Sequence, residues 1–501
     1  MSDVSESNKS ANLNLASETP PLPPADAAVI HPSSVAHATT NPGFWHLVKE
    51  ALMGSHRDFT TESLGRAVLL LAVPMVVEMM MESIFAVADI FWVSKLGPDA
   101  VASVGLTESM LSIIYAVAMG LSMGATAVVA RRTGAHDREG AAHAAVQAII
   151  IGVGLAAIVG LAGVIFGPRL LVAMGANPGV IAVGSNYTRT MLGGSVTVVL
   201  LFLMNAVFRG TGDAAQAMRT LILANTINIV LGPFLVFGWG PFPRLGVTGA
   251  AVATTIGRGI GVLYQASLLL RGRGRLQILP RHLGLEPETM KTIIRIARSG
   301  VIQVGISTVS WVGLVRIVSS FGSGAVAGYT IAIRIVLFAL LPSWGMANAA
   351  ATLVGQNLGA QRPDRAERAV WRASLYNLIF LGGVGIIFIA VAQPLVAFFT
   401  PDPTVLPYGV RCLQIVSAGF LFYAYGMVVI NAFNGAGDTR TPTLINFICF
   451  WLWEIPLAYL LAHPLGWGPT GVFVAITVAF STSAIIGVIW FRRGTWKTVK
   501  V

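Results

Sequence analysis

The hexapeptide FRGTGD at residues 208–213 returns as FNGAGD at 433–438, 225 residues further along the chain. Each copy closes a long apolar run. The glycines suit a helix stop, and the final Asp suits the capping of the next helix, where it would accept from exposed amides. A phosphate loop would also need a lysine after the glycines. Six residues prove little alone, but the same shift recurs. LGPDAVASVG (96–105) resembles FGSGAVAGYT (321–330), and ARRTGAHDREGA (130–141) resembles GQNLGAQRPDRA (355–366), both at 225 residues. TGAAVA (248–253) resembles TGVFVA (470–475) at 222. Four matches in one order make the chain a duplication.

The units being duplicated are bundles of membrane helices. Of 501 residues, 55% are hydrophobic and 11% charged, against about 25% charged in soluble domains. Apolar runs of about 20 residues, the length that crosses a bilayer, fall near 64–93, 101–130, 142–166, 180–208, 215–238 and 247–270. Six more fall near 289–319, 326–355, 369–399, 405–433, 441–462 and 470–491. None shows the alternation of a membrane β-barrel strand, so an all-α, polytopic, twelve-helix protein is expected.

The net charge of +11 reflects topology, and nucleic acid is not an expected partner. Arg131, Arg132 and Arg138 follow span two; Arg271, Arg273, Arg275 and Arg281 follow span six. Arg362, Arg365, Arg368 and Arg372 follow span eight, and Arg492, Arg493, Lys497 and Lys500 end the chain. The intervening connections carry little beyond Lys95, Arg169 and Arg244. By the positive-inside rule both termini are cytoplasmic, in a multi-pass protein of the cytoplasmic (inner) membrane. Anionic lipid is a further expected contact. Cys412 and Cys449 each lie within a span and offer neither a disulfide framework nor zinc spacing.

This organisation predicts a disordered cytoplasmic tail over 1–60, with an interfacial turn near Phe44, Trp45, Leu47 and Val48, and a six-helix lobe over 61–270. A basic linker over 271–288 and a second six-helix lobe with a short basic tail over 289–501 complete it. Six is even, so the lobes share one orientation and are parallel repeats about an axis along the membrane normal. Transporters rock such halves around a central site.

Certain residues in this frame resemble the multidrug and toxic compound extrusion (MATE) family of cation-coupled antiporters. They are Pro74 with Asp89, WVSKLGPDAVASVGL (92–106), MGATAVVARRTGA (123–135), RGTGD (209–213) and LGVTGAAVAT (245–254). The second half repeats the pattern with AVAGYTIAIRI (325–335) and ATLVGQNLGA (351–360). The likeness covers residues 61–495. It implies a V-shaped pair of bundles that exports organic cations or other amphipathic compounds in exchange for H+ or Na+, as a monomer and without a cofactor. It places the coupling site in the first lobe, at Asp89, Tyr187, Asn228 and Thr254, with Pro74 as the bend of helix one and Asp89 with Asn228 as the sodium ligands if sodium is used. Two positions depart from the pattern. Gly232 stands where many members have a second acid, and an acid some members carry in helix seven is missing near Ser307.

The residues themselves widen the candidate set. In PMVVEMMMESIFAVADIF (74–91), Glu78 and Glu82 lie about 40° apart around a helix, and Asp89 falls between them. Facing lipid, each acid would cost roughly 2.5 kcal/mol or more near the bilayer centre. The stripe therefore faces a bundle interior or a wet cleft. There it serves a proton, or it bonds neighbouring helices; for Glu78 and Glu82 both readings stand. Glu108 is either a fourth member or an exposed helix-start acid. Glu454, in FWLWEIP, is the one acid within the second half's spans, and Pro456 beside it frees a backbone carbonyl; it serves either a cation or a local hydrogen-bond network.

Intramembrane arginines need partners. Arg334 reads as a lock or gate, whereas Arg258 and Arg411 read as snorkelling to an interface. Met75, Met79, Met80, Met81, Met110, Met119 and Met123 in the first two helices offer an adaptable surface for varied ligands, though core packing is the better account of most of them. A flippase for lipid-linked saccharides is the alternative transporter, but it would want arginines where helix one is acidic. An intramembrane enzyme lacks any HExxH, paired metal ligands or Ser/His/Asp set in the spans.

Overall fold

The structure is a computed structural model that describes residues 43–55 and 57–501. In chain order the helices are α1 (Phe44–Met53), α2 (Leu64–Ser94), α3 (Pro98–Gly134), α4 (Arg138–Ala173), α5 (Pro178–Gly193), α6 (Ser195–Thr211), α7 (Ala214–Phe237) and α8 (Val247–Arg271). The second half continues with α9 (Pro287–Ser319), α10 (Ser323–Gly359), α11 (Pro363–Ala390), α12 (Ala392–Phe399), α13 (Leu406–Ala418), α14 (Phe420–Ala436), α15 (Arg440–Asn446), α16 (Ile455–Ala462) and α17 (Pro469–Arg492). A π-helical stretch, Phe447–Glu454, joins α15 to α16. Among the described residues, ten helical segments are long and apolar enough to cross a membrane, and the pair α13–α14, bent by 57°, makes eleven. The twelfth is α8, which holds the place in its half that α17 holds in the other; Arg258 and Gln265 lower its hydropathy.

The duplication extends to single dihedral angles. His136 and Gln361 are the non-glycine residues with positive φ among those described, at 59° and 57°, and they are 225 residues apart. Gly212 and Gly437, the stops of the two hexapeptides, have φ of 85° and 87°, the left-handed turn that favours glycine. Asp438 caps as expected, accepting from the Thr441 amide at 3.2 Å and its hydroxyl at 2.6 Å. Asp213 makes no side-chain bond to the start of α7 and lies instead in the field of Arg275.

The two lobes meet along the half of the molecule that carries the basic connections. There α2 lies on α10, and α3 on α9, so closely that side chains are excluded. A Cβ on Gly345 would stand 2.6 Å from the Met75 carbonyl oxygen, and one on Gly120 would stand 2.5 Å from Val301. At the helix ends, a Cβ on Gly134 would fall 1.8 Å from the Gln356 carbonyl oxygen, and one on Gly359 would fall 1.9 Å from that of Arg131. Gly134 and Gly359, like Arg131 and Gln356, are repeat equivalents. Their side chains cross the seam in the same sense. Arg131 donates to the Ala436 carbonyl at 3.2 Å, and Gln356 donates to the Gly210 carbonyl at 2.9 Å. Each lobe thus grips the other's glycine turn. Toward the opposite face the seam is lost: Val87 of α2 is 53% exposed and Phe338 of α10 46%. The molecule is a V, closed at the basic face.

Two expectations change at that face. The tail predicted for 1–60 lies outside the described residues up to 42 and at 56, but the rest of it, from Gly43, is ordered. α1 is a full helix rather than a turn, with Ala51 buried and Trp45 exposed. Phe59 and Thr60 are buried, because arginines of both lobes hold the backbone between them. Arg275 donates to the Ser55 and Arg57 carbonyls at 2.7 and 2.6 Å; Arg362 donates to that of Thr60 at 2.8 Å, and Arg365 to those of Phe59 and Glu62. The linker is ordered too, with Leu276, Ile278 and His282 buried.

Candidate functional site

Pro74 is buried inside α2 with the helix continuous around it. Its ring removes one rung of the backbone ladder, one residue from the point where Gly345 of α10 touches the Met75 backbone. The weak point of the helix therefore lies at the closed seam, and the acidic stripe begins one turn beyond it.

The three acids of that stripe meet three different environments. Glu78 is 1% exposed, and its Oε1 accepts from Arg209 Nη1 at 2.6 Å and Asn205 Nδ2 at 3.1 Å. Asn205 in turn accepts from Gln265 at 2.5 Å, so one buried network ties α2, α6 and α8. Glu82, one turn on, faces Arg258 at 3.7 Å. Arg258 does not snorkel: it is 4% exposed, donates to the Tyr115 hydroxyl at 3.2 Å and stacks 5.2 Å from the Phe85 ring. Three aromatic and acidic neighbours hold it inside the lobe, which the position of residue 258 in the span does not reveal. Asp89 is half-buried and has neither an ion pair nor a hydrogen bond among the described residues. It feels the charges of Glu108 and Arg258, and the buried Tyr187 hydroxyl shares that field with Tyr115.

Asn228 and Thr254 are brought together, with Nδ2 donating to Oγ1 at 2.7 Å. Gly257 makes this approach, since a Cβ there would strike the Ala224 carbonyl at 2.5 Å. The bond leaves the Asn228 carbonyl oxygen available, which suits a cation. Asp89, however, is not hydrogen-bonded to this pair, and no cluster of three acidic, His or Cys groups fit for a metal occurs among the described residues. Beside Gly232 the Trp92 indole fills the space, 3.6 Å from where a Cβ would stand. Glu108 is exposed, as is Arg334 of the other lobe, and the two attract across the open part of the V.

In the second lobe Glu454 is 1% exposed. It accepts from Ser310 Oγ at 2.8 Å, and Ser310 also faces the Phe450 carbonyl at 3.1 Å. Its other oxygen has no hydrogen-bond partner among the described residues. The helix is widened immediately before Pro456, as expected where a missing amide breaks the ladder. Of the methionines, Met75 is core and Met80 is 49% exposed. Arg411 is exposed beside Thr470.

Sequence reasoning passed over Arg209, Asn205 and Gln265. The signal was present in the opening hexapeptide, where Arg209 is matched by Asn434. Glu78 is likewise matched by Gln303, at the same shift. One lobe has a buried charge pair where the other has two buried amides.

The comparisons with known proteins agree with this architecture. The sequence profile of the MatE family matches twice, over residues 74–234 and 301–460. A probable multidrug resistance protein NorM of Thermotoga maritima is 27% identical over 436 residues, 85% of this chain and 92% of that one. A FAD transporter of Shewanella oneidensis is 26% identical over 438 residues, 87% of this chain and 95% of that one. A solved MATE family transporter of the MOP superfamily, in an outward-facing conformation, superimposes with a TM-score of 0.81 at 27% identity, covering 87% of this chain and 96% of that one.

Proposed function

Because the chain belongs to the MATE family of multidrug efflux transporters, we propose that it exports organic cations across the cytoplasmic membrane in exchange for protons, with its basic face in the cytoplasm. The observation that carries this reading is the division of labour on α2. Two acids of the stripe are matched to arginines, Glu78 to Arg209 and Glu82 to Arg258; Asp89 is not. An acid with no ion pair or hydrogen bond, half-buried inside the first lobe with only the more distant charge of Arg258 beside it, is free to exchange a proton.

The cycle follows from the two ends of the molecule. On this reading the seam at the basic face excludes the cytoplasm, and Asp89, half-buried beyond that seam, exchanges with the outside. Proton loading removes the charge on Asp89 and with it the attraction that holds a cationic substrate, which leaves. Release of the Arg131 and Gln356 contacts then opens the opposite side. Tyr187, Asn228 and Thr254 line the same lobe and orient the water or substrate that exchanges with Asp89. Sodium is the second reading of the coupling ion, supported by the free Asn228 carbonyl oxygen beside Thr254.

The test is transport in proteoliposomes under imposed pH or sodium gradients, with tetraphenylphosphonium as the cation and FAD as an anionic comparison. A pH gradient should drive tetraphenylphosphonium efflux, and Asp89→Asn should abolish that coupling while leaving the protein folded. Efflux driven by sodium alone would reassign the ion. Wild-type coupling in Asp89→Asn would remove the site.

A further inference from the structure

A groove on the flank of the second lobe joins unpaired cations at the basic face to an apolar wall within the membrane. Two cavities of about 320 and 380 Å³ lie end to end between α9 and α15, sharing Ser299 and Arg440. The inner one is walled by Ile302, Ile306, Leu444 and Phe447. The outer one opens among Arg295, Arg440 and Lys500, all three exposed and none ion-paired among the described residues. Asp438 also lies at that mouth, but its carboxylate is engaged by Thr441.

The groove does not open into the cleft between the lobes. Ile293, Ala297 and Val301 of α9 are the residues pressed against Gly120 and Gly124 of α3. At about 100° per residue, Arg295, Ser299, Ile302 and Ile306 fall on the opposite side of the helix. That side packs on α15 at Ser299, whose carbonyl accepts from Thr443 at 3.0 Å, and is otherwise open. Ile302 and Leu444 are 50% and 48% exposed there, which in a bilayer is contact with acyl chains.

We infer that the groove binds one anionic phospholipid, its phosphate held by Arg295, Arg440 and Lys500 and one acyl chain lying along Ile302, Ile306, Leu444 and Phe447. Three cations at headgroup depth with an apolar trough running inward match an anionic amphiphile and no free anion. The site also has a consequence for the seam. Lys500 follows Val499, whose carbonyl accepts from Arg131 of the first lobe at 2.9 Å. A bound lipid therefore fixes the C-terminal segment in the position that closes the basic face. This inference rests on the membrane placement of the fold and is independent of the transport chemistry proposed above.

The experiment uses the full chain, delipidated in mild detergent, with native mass spectrometry and thermal unfolding as readouts. Phosphatidylglycerol should be retained at one per chain and raise the unfolding temperature; phosphatidylcholine with the same chains and inorganic phosphate should do neither. Arg440→Gln should weaken phosphatidylglycerol binding about fivefold, and Arg295→Gln with Arg440→Gln and Lys500→Gln should abolish the preference. Leu444→Trp, which fills the trough and leaves the cations, should also weaken binding, whereas Arg492→Gln with Arg493→Gln should not. Equal binding of the two lipids, wild-type binding by the triple variant, or full stabilisation by phosphate alone would each overturn the assignment.

Discussion

Asp89, Glu82 and Glu78 are three acids on one stripe, and the structure separates them by their partners rather than by their depth. Glu78 pairs with Arg209 through Oε1 in a nearly dry site, and its Oε2 has no hydrogen-bond partner among the described residues. Removing one partner strands the other charge, at a cost of about 3–5 kcal/mol, so Glu78→Ala and Arg209→Ala should each lower the unfolding temperature sharply. At the equivalent positions the second lobe buries two neutral amides, Gln303 and Asn434, which are not hydrogen-bonded to each other. The double variant Glu78→Gln with Arg209→Asn should therefore be more stable than either single charge deletion; additive losses in a double-mutant cycle would refute the pairing. The stripe itself was legible from spacing alone, because three acids at helical intervals cannot face lipid. Their partners were not, since Arg209 is brought to Glu78 from 131 residues away by packing that no local pattern records.

Helix ends are where the repeat does its mechanical work. Arg131 with Gly134, and Gln356 with Gly359, form two equivalent clasps across the basic face. Gly134→Ala places a methyl group against a backbone oxygen, and overpacking of this kind costs about 1–3 kcal/mol, a 5- to 150-fold shift between conformations. Spin labels on Arg138→Cys and Arg368→Cys, one per lobe on the exposed basic face, should report a longer distance in that background; an unchanged distribution would show that the clasp does not set the equilibrium. The native cysteines are buried and should stay unlabelled. The segment between α1 and α2, held by arginines of both lobes, adds a pH dependence of known sign. Partial burial opposes ionisation of Glu62, but the Arg57 hydrogen bond, the Ser63 amide and the charges of Arg57 and Arg66 outweigh it and hold its carboxyl below the usual range. Its contribution is complete above the ordinary carboxylate pKa of about 4.3 and is lost as pH falls through the lower folded value. Limited proteolysis between α1 and α2 should accelerate in acid, and Glu62→Gln should remove that acceleration; an acid profile unchanged in Glu62→Gln would contradict the assignment. Composition predicted disorder for this segment, because its anchoring arginines come from distant loops.

Taken as one molecule, the chain is two copies of a six-helix bundle clasped at one end and parted at the other. That much was readable from four repeated motifs, twelve apolar runs and alternating basic connections, since hydrophobic length and duplication act at every point of the sequence. Which half of the seam is closed was not readable, because it depends on glycine-to-backbone contacts between lobes. The same holds for Arg258, whose burial reflects Tyr115, Phe85 and Glu82 converging from two other helices. The asymmetry between the lobes then acquires a meaning: the first holds an unpaired, half-buried acid at Asp89, and the second offers a serine-bonded, enclosed one at Glu454. The most direct measurement is the proton movement itself. In proteoliposomes containing a trapped pH dye, an imposed tetraphenylphosphonium gradient should drive a counter-flow of protons through the wild-type protein and none through Asp89→Asn. Cation transport with no accompanying pH change, or proton counter-flow that survives Asp89→Asn, would contradict the account.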